Sequence, residues 1–300
     1  MRGTFPLYSS GIVRYVFTWP KSRSRYAARG LKRSIHTLPQ NFSEYFQLVM
    51  DHPKFIVINK NCGVPVQDDS KRFHHTRQRK GLQTMLSEID PQIRGVHRLD
   101  KCVTGGIVFA KDKRTAAMIS RNLKQGGNSG YKLTRRYVGL LRLEDLIKTG
   151  HSPSRQRLIG TVHSKTDNGR IETTRFILPW VTSGGYTIAI IELETGRKHQ
   201  IRRHFGEILK WPLINDVKYG ASGIEIGSKS AIGLHSAYVN LKIGSSEHQC
   251  LIPPVYATPI WSGFLGNDGQ FTNDISQLLL NFTTEFESKG DGLNVIYSNE

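Results

Sequence analysis

Gly95-Val-His-Arg-Leu-Asp100-Lys-Cys-Val-Thr104-Gly-Gly106-Ile-Val-Phe-Ala110 is the stretch whose reading decides this chain. Its second half is a short apolar run behind a pair of glycines, the pattern of a buried strand entered through a turn. Its first half sets a histidine, an arginine and an aspartate immediately ahead of that strand. Polar loops held by a rigid strand are where catalytic side chains concentrate. A second segment repeats the arrangement. Glu194-Thr-Gly-Arg-Lys-His-Gln-Ile-Arg202-Arg-His204 follows the β-branched run Tyr186–Leu193. It leads into Ile201, Phe205, Ile208 and Leu209, spaced i, i+4, i+7 and i+8 as on one helical face. From spacing alone, Asp100 is also readable as a turn cap and Arg202 as a surface charge.

Outward from these segments, strands outnumber helices. Phe55-Ile-Val-Ile-Asn59 and Tyr137-Val-Gly-Leu-Leu141 read as strands, and Gly63-Val-Pro65 as a turn. Asp112 is placed to cap a helix over residues 114–124, which Gly126-Gly127 would stop. A last helix follows Asn273, with Ile275, Leu278, Leu279, Phe282 and Phe286 on its packing face. Strands and helices do not alternate regularly, so the pattern predicts an α+β fold on a mixed sheet rather than a doubly wound one. Order is expected from about Phe46. Residues 46–260 carry no repeat and no Gly/Ser linker, which predicts one catalytic domain over 46–265 with a helical extension over 266–300.

Charge narrows the function. The net charge of +18 and pI near 9.9 attract polyanions, and a mean hydropathy of −0.38 with no long apolar run gives no span for a membrane. No acid precedes Glu44, whereas Arg2, Arg14, Lys21, Arg23, Arg25, Arg29, Lys32 and Arg33 do. A basic, acid-free, serine-bearing leader predicts a mitochondrial transit peptide over 1–40; the other reading is an RNA-binding arm. Removing those eight charges leaves +10, so nucleic acid stays the expected partner. Residues 67–81 add a basic loop, either an RNA contact or a solvated face. The three cysteines, Cys62, Cys102 and Cys250, have no CxxC spacing and form neither a disulfide framework nor a zinc site.

Other chemistries lack their spacing. There is no HExxH, and His199 and His204 stand five apart, off one helical face. The glycines Gly105-Gly106 precede a strand, whereas a dinucleotide loop follows one. Gly227-Ser-Lys-Ser230 lacks the spacing of a phosphate loop, and no serine occupies a nucleophile elbow.

Val96-His-Arg-Leu-Asp100 with Thr104-Gly105 resembles the motif of the catalytic aspartate in the RluA-type pseudouridine synthases. Further matches run in that family's order. Ile58-Asn-Lys60 with Gly63-Val-Pro-Val66 resembles the opening strand, and Arg136-Tyr137-Val138 the segment of the active-site tyrosine. Thr195-Gly-Arg-Lys-His-Gln-Ile-Arg202 resembles the second signature, and Pro212–Gly220 with Leu234-His-Ser-Ala237 the late ones. The chain departs from the family at Cys102-Val103-Thr104, where an acid and a Thr-Ser pair are usual, and at Asn61, where proline is usual.

The resemblance implies the pseudouridine synthase fold: a mixed, mainly antiparallel sheet flanked by helices around a central active-site cleft. It implies Asp100 as catalytic carboxylate, with Arg202 pairing with it and offsetting its desolvation. Tyr137 would stack on the uracil and assist proton transfer at C5, and Leu234 would pack on the base from the other side. Arg98 would fill the space a flipped uridine leaves, and His97 would orient the loop. Uridine and pseudouridine are isomers, so no cofactor or metal is expected. The expected partner is a structured RNA, ribosomal first and transfer RNA second, bound by a monomer in the mitochondrial matrix. The leader, and the lack of an S4-like domain before the catalytic region, resemble the fungal mitochondrial large-subunit rRNA members. A non-catalytic RNA-binding or ribosome-assembly factor on the same fold is the alternative.

Overall fold

The computed structural model describes residues 40–68, 80–125, 131–153, 157–166, 168–224, 231–254, 259–283 and 292–298. After a short 3-10 turn, the described residues form the hairpin β1 (Phe46–His52) and β2 (Phe55–Lys60), then α1 (Leu82–Ile89), the two-residue β3 (Arg94–Gly95) and β4 (Thr104–Ala110). Helix α2 (Lys113–Gln125) leads into the long β5 (Tyr131–Arg142) and the short α3 (Leu143–Lys148). Strands β6 (Arg157–Lys165), β7 (Ile171–Leu178), β8 (Thr182–Ser183) and β9 (Tyr186–Leu193) follow, then α4 (Gln200–Arg203). The last elements are β10 (Leu234–Ile243), β11 (Ser246–Leu251), α5 (Asn273–Leu280) and β12 (Gly292–Ser298).

Among the described residues twelve strands join one sheet in the order β1-β2-β4-β10-β5-β9-β7-β6-β12, with β3, β8 and β11 as side branches on β4, β9 and β10. Every pairing is antiparallel except β4 with β10 and β6 with β12, so the sheet is mixed and mainly antiparallel, as expected. Its middle is buried on both faces. On β5 and β9, Tyr137, Leu141, Ala189 and Ile191 enter one apolar cluster. Val138, Leu140, Ile188 and Ile190 enter another on the opposite face, with Trp261, Phe264, Ile275 and Leu279. This two-faced burial is why these strands read as unbroken apolar runs instead of alternating ones. Among the described residues no helix is long and apolar enough to cross a membrane.

The expected helices form with small differences. Asp112 caps α2 as predicted, accepting from the Thr115 N–H and hydroxyl at 2.7 Å each. The helix after His199 is α-helical only to Arg203 and continues as a π turn over His204–Ile208. A Cβ on Gly206 would stand 2.1 Å from the Tyr219 carbonyl, so a following loop presses directly on this turn. Helix α5 stops at Leu280, although Phe282 still packs on the same cluster; Phe286 and Gly126-Gly127 lie outside the described residues. The segment expected as a helical extension thus also holds a strand, β12, laid along β6.

Candidate active site

Loop 96–103 connects β3 to β4 and is held from three sides. His97 Nε2 accepts the Val108 N–H at 3.0 Å, which pins the loop to β4. Burial, with the nearby Arg135 charge, keeps the His97 pKa well below its usual value, so the ring stays neutral and able to accept. Beneath, Lys60 is fully buried at the end of β2. Its Nζ donates to the carbonyls of Asn61, Val64 and Lys101, at 2.9, 3.0 and 3.3 Å. Burial pushes the Lys60 pKa down to about 8. On the third side the Cys102 carbonyl accepts from the Ile232 N–H at 3.3 Å.

The glycines that follow are dictated by a close strand crossing. Gly105 has φ +106°, and a Cβ there would stand 2.4 Å from the Ser236 carbonyl of the parallel neighbour β10. Only glycine adopts this backbone with nothing to collide. The same crossing is locked by His235, whose Nδ1 lies 2.7 Å from the Thr104 hydroxyl and whose Nε2 lies 2.8 Å from the Ile252 carbonyl. The carbonyl fixes the tautomer: Nε2 carries the proton, and Nδ1 accepts from Thr104.

The second polar segment folds around Gln200. This buried side chain accepts from the Thr195 hydroxyl and the Arg197 N–H, and donates to the Thr173 carbonyl and the Thr174 hydroxyl. All its hydrogen-bonding capacity is used, which rigidifies the turn into α4. His199 sits at the corner in a left-handed conformation, φ 56°. Arg202, one turn on, is buried and crosses to the first segment.

There Arg202 Nη1 donates to Asp100 Oδ2 at 3.1 Å. Its stronger hold is on Asp216, through Nε and Nη2 at 2.7 Å each. The expectation that Arg202 pairs with Asp100 is therefore met by one hydrogen bond, while its two-pronged pairing goes to a residue given no role in the sequence reading. The Tyr219 ring lies 4.9 Å from the guanidinium, and the Tyr219 hydroxyl is 2.7 Å from His199 Nδ1. His199 Nε2 stands 3.6 Å from Asp100 Oδ2, too far for a hydrogen bond. Burial holds the His199 pKa below its ordinary value, against the pull of Asp100. Both neighbours of the Asp100 carboxylate thus approach Oδ2, and Oδ1 has no partner among the described residues.

Asp100, Arg202, Tyr137, Leu234 and Arg98 all line one cleft of about 1330 Å³. Tyr137 and Leu234 are buried in its wall, on β5 and at the start of β10. Opposite Tyr137, β10 carries a bulge between Ser236 and Tyr238, which re-aims the strand beside the site. Burial raises the Tyr137 pKa, against the Arg135 charge, so the phenol keeps its proton at neutral pH. Arg98 is exposed at the mouth, with one hydrogen bond to Gln67 Oε1 at 3.1 Å. Among the described residues no group of three or more His, Cys, Asp or Glu side chains is arranged to hold a metal. Sequence reasoning passed over Asp216, His199, Tyr219 and Lys60, although each stands inside a segment it had singled out. The usable signal was the acid in Ile214-Asn-Asp216-Val, charged among apolar neighbours and therefore in need of a partner.

The family model for RNA pseudouridylate synthase matches residues 54–207, just over half of the chain. The 21S rRNA pseudouridine(2819) synthase of Eremothecium gossypii is 32% identical over 248 residues, covering 79% of this chain and 88% of the relative. The protein of the same name from Saccharomyces cerevisiae is 30% identical over 254 residues, covering 78% and 95%. Human RNA Pseudouridylate Synthase Domain Containing 1 shares the fold, with a TM-score of 0.54 at 18% identity over 88% of this chain and all of that one. The match takes in both polar segments that the fold brings to the cleft, and this chain belongs to the RNA pseudouridylate synthase family as an RNA pseudouridine synthase.

Proposed function

We propose that the enzyme isomerises a uridine of mitochondrial large-subunit ribosomal RNA, with Asp100 as its catalytic carboxylate. The observation that carries the reading is the Asp100 carboxylate itself. It faces the cleft with Oδ1 unengaged and Oδ2 neutralised by Arg202. The substrate is read from the fungal relatives named for 21S rRNA, the net charge of +18 and the acid-free leader.

The reaction breaks N1–C1′ and forms C5–C1′; C5 loses a proton and N1 gains one, so nothing is consumed. A carboxylate serves this as nucleophile or as counter-charge to an electron-poor sugar. The target must first leave the base stack. Arg98 fills the vacated space, and Tyr137 and Leu234 hold the uracil between a ring face and an aliphatic wall. The Tyr137 hydroxyl, which holds its own proton at neutral pH, assists the proton transfer at C5 as a relay, releasing one proton as it takes another. The catalytic unit spans 46–265 and acts as a monomer; residues 1–40 direct it to the matrix.

The test maps pseudouridines in mitochondrial RNA with and without the gene, then restores the wild type or Asp100→Asn. One large-subunit rRNA site should vanish and return only with the wild type. The Asn variant should still bind RNA within about tenfold, or 1.4 kcal/mol. Restoration by Asp100→Asn would remove Asp100 from the chemistry, and loss of a tRNA site instead would move the substrate.

A further inference from the structure

Arg135 and Arg136 are neighbours on β5, point to opposite faces of the sheet, and are partnered in opposite ways. Arg136 is engaged through Nε, Nη1 and its flat face. Its Nε donates to Glu192 Oε2 at 2.6 Å and its Nη1 to the carbonyls of Leu279 and Leu280, and its guanidinium lies 4.9 Å from the Tyr238 ring centre. It ties the end of α5 to the sheet.

Arg135 has none of this. It is only 7% exposed, its Nε is buried without a hydrogen-bond partner, and its guanidinium forms no ion pair among the described residues. It shares a face of β5 with Tyr137 and lines the same cleft. Its neighbour across the cleft wall is Gly196, where a Cβ would come within 3.2 Å of Nη2 and 3.3 Å of Nη1. The missing side chain leaves room for the flat guanidinium, but the backbone there brings no counter-charge. Arg175, another arginine lining the cleft, is already paired with Glu194.

A buried cation is stable only when an anion meets it, and among the described residues none does. RNA brings one in every phosphodiester, whose oxygens match the planar fork of an arginine. Two residues of β-strand set Arg135 about 7 Å from Tyr137, so a strand with its base against Tyr137 runs its backbone past the guanidinium. We propose that Arg135 is a phosphate-binding residue of the cleft, taking the phosphodiester next to the flipped uridine. The position of that phosphate rests on the cleft being the uridine site; the binding of phosphate by Arg135 is tested separately.

The experiment measures the affinity of full-length wild type, Arg135→Met and Arg135→Lys for a uridine-bearing stem-loop RNA across a salt series, with a melting curve for each protein. Arg135→Met should bind about tenfold more weakly or worse, the scale of one charge-assisted hydrogen bond. Its plot of log affinity against log salt should be shallower by about one. Its melting temperature should hold or rise, since an uncompensated charge has gone; Arg135→Lys should recover the slope. Replacing the phosphate beside the uridine by a neutral methylphosphonate should weaken the wild type and leave Arg135→Met unchanged. A wild-type affinity and slope for Arg135→Met would overturn the proposal. So would a lowered melting temperature with normal binding by the folded fraction, which makes Arg135 structural. Wild type that binds RNA but forms no pseudouridine would instead sink the reading of the cleft, and the salt slope would still decide Arg135.

Discussion

Arg202 grips Asp216 with two hydrogen bonds of 2.7 Å and touches Asp100 with one of 3.1 Å. The arginine beside the Asp100 carboxylate is thus anchored by a third residue, buried to 1% exposure. Asp216 takes two of the three hydrogen bonds that Arg202 makes to carboxylates, so Arg202 can neutralise Oδ2 of Asp100 without being held in place by Asp100. The stability of the pair and the chemistry of Asp100 are therefore separable.

Asp216→Ala should cost about 3–5 kcal/mol, the usual penalty for removing one partner of a buried ion pair, and should lose activity with it. Arg202→Ala should behave alike. Asp100→Asn removes the charge from a single, longer contact and should unfold near the wild-type urea midpoint while inactive. Equal destabilisation by Asp100→Asn and Asp216→Ala would show that the anchor has been misassigned.

Arg98 is a contrasting arginine, exposed and bonded once to Gln67. Arg98→Ala should keep its melting temperature, because no buried group loses a partner. It should modify folded RNA poorly and regain activity on an RNA whose target uridine is already unstacked, since less unstacking energy is then needed. Single-turnover assays on the two RNAs read this directly. No gain on the loosened RNA would take Arg98 out of base flipping.

Acid should destabilise the fold through its buried histidines. Burial pushes the pKa of His235 and of His204 down to about 4 and keeps that of His97 well below normal. In the unfolded chain each titrates near 6.5. Between those values the unfolded chain binds protons that the native one refuses, so stability is complete above about pH 6.5 and falls as pH drops toward 4. His235 alone accounts for a loss on the order of 3 kcal/mol over that window. Urea midpoints measured along it should fall steeply for the wild type and less for His235→Gln; a flat wild-type profile would contradict the assignment.

The leader lies outside the described residues, and its role is open to a direct test. Residues 1–40 fused to a fluorescent reporter should enter mitochondria, being basic and free of acids. Purified protein without them should stay active. A diffuse cytosolic signal would favour the RNA-binding arm.

Much of this molecule is written in local sequence. Phe55-Ile-Val-Ile and Tyr186–Leu193 announce strands because β-branched runs fit a pleated, buried surface, and Asp112 announces its helix because a carboxylate satisfies free N–H groups three residues on. The loop ending at Asp100 and the turn ending at Arg202 are visible as polar segments abutting such strands, and their residue types point to the chemistry. These signals depend only on neighbours within a turn or a pleat.

What tertiary structure decides is which distant groups meet. Asp100, Arg202 and Asp216 lie up to 116 positions apart, and their pairing exists only once β4, α4 and the loop after α4 converge. The order of the sheet, with β4 beside β10 in parallel, likewise follows from which apolar faces can be buried together. Arg135 and Arg136 show the limit most plainly. In sequence they are the same residue twice; the alternation of β5 sends one to a carboxylate and two carbonyls and the other to an open cleft. Burial and counter-charge are properties of the space around a side chain, and that space is made by strands the local sequence does not contain.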